Sequence, residues 1–399
     1  MKGITRGRRG LLAFLGAGAL LLAGCTGTRL PSGLPLASPD PLPPSAALPP
    51  ASGETLGSGD VRLALLLPLS AEGNGARIAA EFRNAAEMAV SEAPGVIQVV
   101  VKDTGGTPEG ASAAARQAIE ERATAVLGPV FSDNVTAAAS VLRPAGVPVI
   151  AFSSDRSVAG PGVYLNSFLP GGVVDRTLSL AAQRGVRNVV AIVPEGPAGD
   201  VALAQARETL ARMGGRLAAA ARYQYDFASV EQAVRTVGEA LRTSDALFIP
   251  DGGKAPSTIA AVAAGFGFDL SSKKLLGTGQ WSTADLSDPT LAGAWFADTD
   301  RERIARYNER YRRRYGAEPS VNSALAFDTV VLAASIVSRF GREGFQPAVI
   351  EDPSGFSGYT GVFRFRPDGT SERGYAVYEV VDGRVQLVSP APRRFDGAS

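Results

Sequence analysis

Not one of the 399 residues is a histidine, and only one is a cysteine. That composition removes the commonest general base, the commonest metal ligand and every nucleophilic triad built on imidazole. No metal site and no cofactor is expected. Acid–base chemistry would fall to isolated Asp, Glu, Lys or Tyr side chains, so the chain does not read as an enzyme. What the sequence offers instead is hydrogen bonding from short polar loops that follow apolar runs. These loops hold Ser70 after the run from Val61, Ser132 after Ala125-Val126-Leu127, Ser153 and Ser154 after Phe152, and Asp251 after Ala246–Ile249. Hydroxyls and helix N-terminal amides placed there suit a small polar ligand. Ser and Asp in the same positions also cap helices, and both roles stay open for each loop. Gln280 and Trp281 follow Lys274–Gly277 and could wall a cleft, although a tryptophan is as readily a core residue.

Such loops need elements to hold them. Val61–Pro68 is a nearly continuous apolar run ending at proline, as in a central parallel strand covered on both faces. Ile78, Phe82, Ala85 and Ala89 then share one side of a helix. Strand and helix patterns keep alternating through Val96–Val101, Ala125–Leu127, Val147–Phe152, Val189–Val193 and Ala246–Ile249, which predicts an α/β fold with parallel sheets and right-handed crossovers. Sheets of this kind bind ligands beyond the carboxyl ends of their strands, where the polar loops lie. About 340 residues follow Gly59, more than one core usually organises, so two lobes are expected. Val362–Arg366 and Gly374–Val381 read as a closing hairpin around Pro367-Asp368-Gly369. The helix Arg301–Tyr315 carries Ile304, Tyr307, Tyr311 and Tyr315 on one stripe, with arginines around it. It is either a packed stripe under a solvated basic face or a docking patch. A net charge of +1 with dispersed basic residues predicts no nucleic-acid surface.

Cys25 carries a different chemistry. Lys2, Arg6, Arg8 and Arg9 precede 13 uncharged residues, Leu11 to Ala23. As a helix these would span roughly 20 Å, short of the roughly 30 Å core of a bilayer, so residues 1–24 read as a signal peptide. Leu22-Ala23-Gly24-Cys25 resembles a lipobox, which implies cleavage before Cys25 and lipidation of its sulfur. The alternative is a plain secretory peptide with a chance cysteine. Thr26 rather than Asp follows it, implying a lipid anchor in the outer membrane, facing the periplasm. Residues 25–59, with six prolines between Pro39 and Pro50, read as a disordered tether.

Val61–Pro68 with Leu69-Ser70, the Gly128-Pro129 loop, Pro148-Val149-Ile150 leading to Ser153-Ser154, and Ser323–Val330 together resemble the type I periplasmic binding proteins of the leucine/isoleucine/valine class. The resemblance runs from about Val61 to Val388. It implies two interleaved lobes joined by a three-strand hinge, the first from 60–166 and 298–352, the second from 167–297 and 353–389. It also implies that Ser132, Ser153 and Ser154 hold a ligand's carboxylate and amino group, with Asp251 meeting the amino group from the second lobe. The aromatic residue often found in the first loop is missing between Ser70 and Ile78. Within that class, Ser154–Gly160 and Phe168-Leu169-Pro170 are similar to the lipoprotein activators of penicillin-binding proteins. The expected function is therefore activation of a peptidoglycan synthase. The alternative is a solute receptor that hands an amino acid or similar solute to an ABC permease.

Overall fold

Alternate side chains of Val61–Leu67 enter different cores. Leu63, Leu65 and Leu67 pack into one, Ala64 and Leu66 into another, and the strand is apolar throughout because both of its faces are covered. The computed structural model describes residues 48–395. The signal peptide expected over 1–24, Cys25 and residues 25–47 of the expected tether lie outside them.

The first lobe is built on β1 (Thr55–Gly57), β2 (Val61–Leu67), β3 (Ile97–Asp103), β4 (Ala125–Leu127), β5 (Val149–Ala151) and β6 (Val163–Leu165), in the spatial order β1-β3-β2-β4-β5-β6. α1 (Asn74–Val90) covers one face, and α2 (Pro108–Glu120) and α3 (Ser132–Leu142) cover the other. The chain then crosses to a second lobe of α4 (Pro170–Gln183), β7 (Asn188–Pro194), α5 (Pro197–Arg212), β8 (Arg216–Tyr223), α6 (Phe227–Thr243), β9 (Ala246–Phe248), α7 (Ala255–Gly265), β10 (Lys274–Gly277) and β11 (Trp295–Asp298). It returns as α8 (Arg301–Tyr315) and α9 (Ser323–Phe340), which pack on the first core. A three-stranded antiparallel sheet follows, β12 (Phe356–Gly358), β13 (Gly361–Phe365) and β14 (Ser371–Arg373). β15 (Ala376–Val381) and β16 (Arg384–Ser389) complete the second sheet, ordered β16-β15-β11-β10-β9-β7-β8.

Both large sheets are parallel at their centres and antiparallel at one edge, where β1 meets β3 and where β15 meets β11 and β16. Mixed sheets therefore replace the wholly parallel ones expected. Three connections cross between lobes: β6 to α4, β11 to α8, and β14 to β15. This is the expected hinge. It is held by buried polar groups, with Asn166 Nδ2 donating to Thr329 Oγ1 at 2.7 Å and Arg373 Nη2 donating to Asn166 Oδ1 at 2.5 Å.

Three expectations change. The tether does not run to residue 59, because Thr55–Gly57 pairs with β3 and closes a sheet edge that would otherwise be bare. The segment 353–389 does not belong wholly to the second lobe. Phe356, Phe363 and Phe365 carry β12–β14 onto the first core, and only β15 and β16 join the second sheet. The turn Pro367-Asp368-Gly369 joins β13 to β14 and not to the strand ending at Val381. Asp368 Oδ1 accepts from Thr370 N at 2.9 Å, and Gly369 adopts a φ of 79° that suits glycine.

Candidate ligand-binding cleft

Strands β4, β5, β9, β10 and β11 end towards a cleft of about 920 Å³ between the lobes, and the loops that follow them line it. On the first lobe, Ser132 begins α3, and Ser153 and Ser154 follow β5. Ser153 is buried and its Oγ accepts from Asp155 N at 3.2 Å, whereas Ser154 is exposed. On the second lobe, Asp251 and Gln280 reach the cleft from the loops after β9 and β10. The structure thus brings together Ser132, Ser153, Ser154, Asp251 and Gln280.

It does not bring in the other two candidates. Ser70 is exposed on the loop after β2, where its backbone N–H donates to Asp103 Oδ1 at 3.2 Å, and it does not line the cleft. Trp281 is fully buried. Its indole N–H donates to Ile249 O at 2.8 Å and its ring stacks on Phe296 at 6.2 Å, so it belongs to the second-lobe core. A buried indole needs an acceptor for its single donor, and the end of β9 supplies one.

Asp251 is half-buried and is the one carboxylate among these groups. Tyr223 Oη donates to its Oδ2 at 2.5 Å and Gly252 N donates to Oδ1 at 2.8 Å, yet no cation pairs with it among the described residues. Burial and this carboxylate together push the Tyr223 hydroxyl up, and the neighbouring Tyr225 hydroxyl as well. Both phenols stay neutral donors. Asp298, at the hinge end of the cleft, is raised by burial while Arg301 and the Thr299 N–H act in the opposite direction. No lysine or arginine lines the cleft, while Asp155, Asp251 and Asp298 do.

Positive potential comes instead from backbone. Helices α3, α4, α5 and α9 all begin at the cleft, beside Ser132, Pro170, Ala198 and Asn322, and none has a side chain capping its first turn. α1 and α7 also lack a side-chain cap, whereas α2, α6 and α8 begin on Thr107, Asp226 and Asp300, whose side chains accept from first-turn amides. Uncapped first turns leave N–H groups free to meet a ligand anion.

The apolar part of the wall was missed by sequence reasoning. Phe152 meets Phe82 edge-on at 4.9 Å. Phe131 lies over Gly75 and Gly106, where an added Cβ would come within 3.5 and 3.6 Å of its ring. Ile78, Phe168 and Leu325 continue this surface, and Tyr225 faces it from the second lobe with 77% of its surface exposed. The signal available was an aromatic in each loop after β4 and β5: Phe131 just before α3, and Phe152 just after β5, which reads as the last residue of the strand Val147–Phe152.

Comparisons with known proteins agree with this architecture. A family model described as periplasmic binding protein matches residues 60–384. Among solved structures, a Rhodospirillum rubrum protein assigned to a branched-chain amino acid ABC transporter has a TM-score of 0.73 at 18% identity, covering 82% of this chain and 99% of its own. A leucine-binding protein from Thermotoga maritima has a TM-score of 0.55 at 20% identity, covering 82% and 98%. An ABC transporter solute-binding protein from Rhodopseudomonas palustris, in complex with 3,4-dihydroxybenzoic acid, has 0.58 at 20% identity, covering 85% and 98%. No curated protein matches the sequence. At these identities the solved structures share the fold. Because the family model spans most of the chain, with two lobes, three crossings and a cleft between them, the chain belongs to the periplasmic binding proteins.

Proposed function

We propose that the protein is a solute-binding protein whose cleft takes an amino acid or similar small zwitterion and presents it to an ABC permease. The observation that carries this reading is the division of charge in the cleft. The uncapped first turns and serines of α3 and the β5 loop suit a carboxylate, and Asp251, without a cationic partner, suits an ammonium. The aromatic and aliphatic surface around Phe131 and Phe152 suits an apolar side group. Two of the solved neighbours described above are named for branched-chain amino acids or leucine, and a third holds an aromatic acid. The test is calorimetry on the full chain, stripped of ligand, with leucine, phenylalanine and benzoate. We expect saturable binding of an amino acid that weakens about tenfold or more in Asp251→Asn, with any benzoate binding unchanged. No amino acid binding, or identical binding by the variant, would overturn the reading.

A second reading, activation of a peptidoglycan synthase by an outer-membrane lipoprotein, is supported by Cys25, Thr26 and the proline-rich segment behind them. An outer-membrane anchor would hold the domain away from an inner-membrane permease. This reading expects faster glycan polymerisation or crosslinking by a penicillin-binding protein when the full chain is added, with no loss in Asp251→Asn.

A further inference from the structure

A second cavity, of about 610 Å³, adjoins the hinge and shares only Ser167, Leu169 and Tyr375 with the ligand cleft. Its electrostatics are reversed. Six arginines line it against three carboxylates, where the cleft has three carboxylates and no cation. Three of the six are already engaged: Arg212 pairs with Asp175, Arg366 pairs with Glu372 at 3.3 Å, and Arg373 donates within the hinge. The other three have no carboxylate within salt-bridge distance among the described residues. Arg176 donates only to neutral acceptors, Tyr375 O at 3.0 Å, Ser389 Oγ at 2.6 Å and Pro390 O at 3.3 Å. Burial pushes its guanidinium down from the usual range, although the nearby Asp175 carboxylate acts in the opposite direction. Arg156 reaches the Asp368 carboxylate only at longer range, and Arg394 has no hydrogen-bond partner among the described residues. Glu208 is the one carboxylate on this wall without a cationic partner among them.

Two further observations point to the same ligand chemistry. The first turn of α4 enters the wall as Gly171-Gly172 after Pro170. It has no side-chain cap, and the Gly171 N–H has no acceptor among the described residues. Neither position carries a side chain, and the space a Cβ would take is filled by Gln205 Oε1 at residue 171 and by the Tyr375 ring at residue 172, which pack on this turn. Ser371 and Arg373 also line the cavity, and both are more than nine-tenths buried. The Ser371 Oγ and the Arg373 Nε have no hydrogen-bond partner among the described residues, and both atoms are closed off from solvent.

We infer that this cavity is an oxyanion site for inorganic phosphate or the phosphate of a small ester, held between arginines of both lobes and the first turn of α4. Guanidinium groups match phosphate oxygens in pairs, and a helix N-terminus adds backbone donors. Arg156 belongs to the first lobe, Arg176 to α4 of the second and Arg394 to the C-terminal segment, so one anion would touch both lobes beside the hinge. The site shares the start of α4, Ser167, Leu169 and Tyr375 with the ligand cleft, but its test requires no cleft ligand.

The experiment is thermal unfolding of the full chain titrated with sodium phosphate or glycerol 3-phosphate, against sodium chloride at matched ionic strength. We expect a saturable rise in Tm of about 2–4 °C with phosphate and not with chloride. The double variant Arg156→Gln/Arg394→Gln changes two exposed side chains outside the hinge network, and should bind about tenfold or more weakly. A larger shift with glycerol 3-phosphate than with inorganic phosphate would make the ligand a phosphate ester, equal shifts would mean that the site reads the phosphate group of either source, and a response to inorganic phosphate alone would make it the free ion. No rise beyond the chloride control, or a rise of equal midpoint in the double variant, would overturn the inference.

Discussion

A carboxylate shielded from water must be held by protein donors, and Asp328 is held by three. Tyr359 N and Thr360 N donate to it at 2.8 Å each and Thr360 Oγ1 donates at 2.6 Å. Residue 358 has to be glycine, because a Cβ there would lie 2.2 Å from Asp328 Cγ. Burial raises this carboxyl above its ordinary value of 3.8 in spite of those donors and the nearby Arg373. We expect Asp328→Ala to lower unfolding free energy by about 3–5 kcal/mol in urea titration, since it strands buried donors beside a buried cation. The sign with pH follows from the raised value. The folded state holds the proton more tightly than the unfolded chain, so this group's contribution to stability falls as pH rises from 3.8 towards the folded pKa. Stability of the wild type minus that of Asp328→Asn, measured in urea, should shrink over the same interval. At this scale the site was partly legible. Ser132, Ser153, Ser154, Asp251 and Gln280 were found because small polar loops after strands have few other places to be. Trp281 and Ser70 misled, because neither the Ile249 carbonyl nor the Asp103 side chain that engages them can be read from spacing.

β1 shows what an element without periodicity can do. Its three residues carry no strand signal among so many prolines and glycines, yet the segment is fixed by buried charge. Lys102 Nζ donates to Glu121 Oε1 at 2.6 Å and to the Ser52 carbonyl. Ser52 N donates to the same Glu121 oxygen at 2.8 Å, and Arg62 Nη1 donates to Pro49 O at 2.8 Å. Burial pushes the Glu121 carboxyl up, but the Lys102 and Ser52 donors outweigh it and hold the group below the usual 4.5. The clamp therefore contributes stability above pH 4.5 that is lost as pH falls through the lower, folded value. The protection of amides at residues 52–57 against hydrogen exchange, taken relative to the intrinsic rate at each pH, should fall on acidification before that of the central strands, and Glu121→Gln should produce the same fall at neutral pH. α8 resolves the other way from the docking alternative. Tyr307 and Tyr311 are buried, and Arg310, Arg312 and Arg314 pair with Glu92, Glu309 and Glu87 of this same chain. α9 is buried along most of its length because it is sandwiched in the first core; its length and hydropathy alone would pass for a membrane span.

Neither lobe is a contiguous stretch of chain. The first core needs Leu325, Phe327 and Val330 of α9 and Phe363 of β13, all of which come after the whole of α4–β11. A fragment ending at residue 298 would leave Phe82, Val99 and Tyr164 without cover. We expect it to keep helical far-UV dichroism, lose its near-UV signal and bind ANS, whereas the full chain does none of the last two. The alternation of strands and helices made two lobes legible. The exchange of β12–β14 between them was not, because three short strands carry the same pattern whichever core they cover. The clamp at Ser52 has a mechanical meaning at this scale. Any pull arriving through the chain before Leu48 is loaded onto the first lobe alone, through an edge strand lying antiparallel along β3. In a chain held by residues before Leu48, the first lobe would be the fixed frame and the second lobe the part free to move.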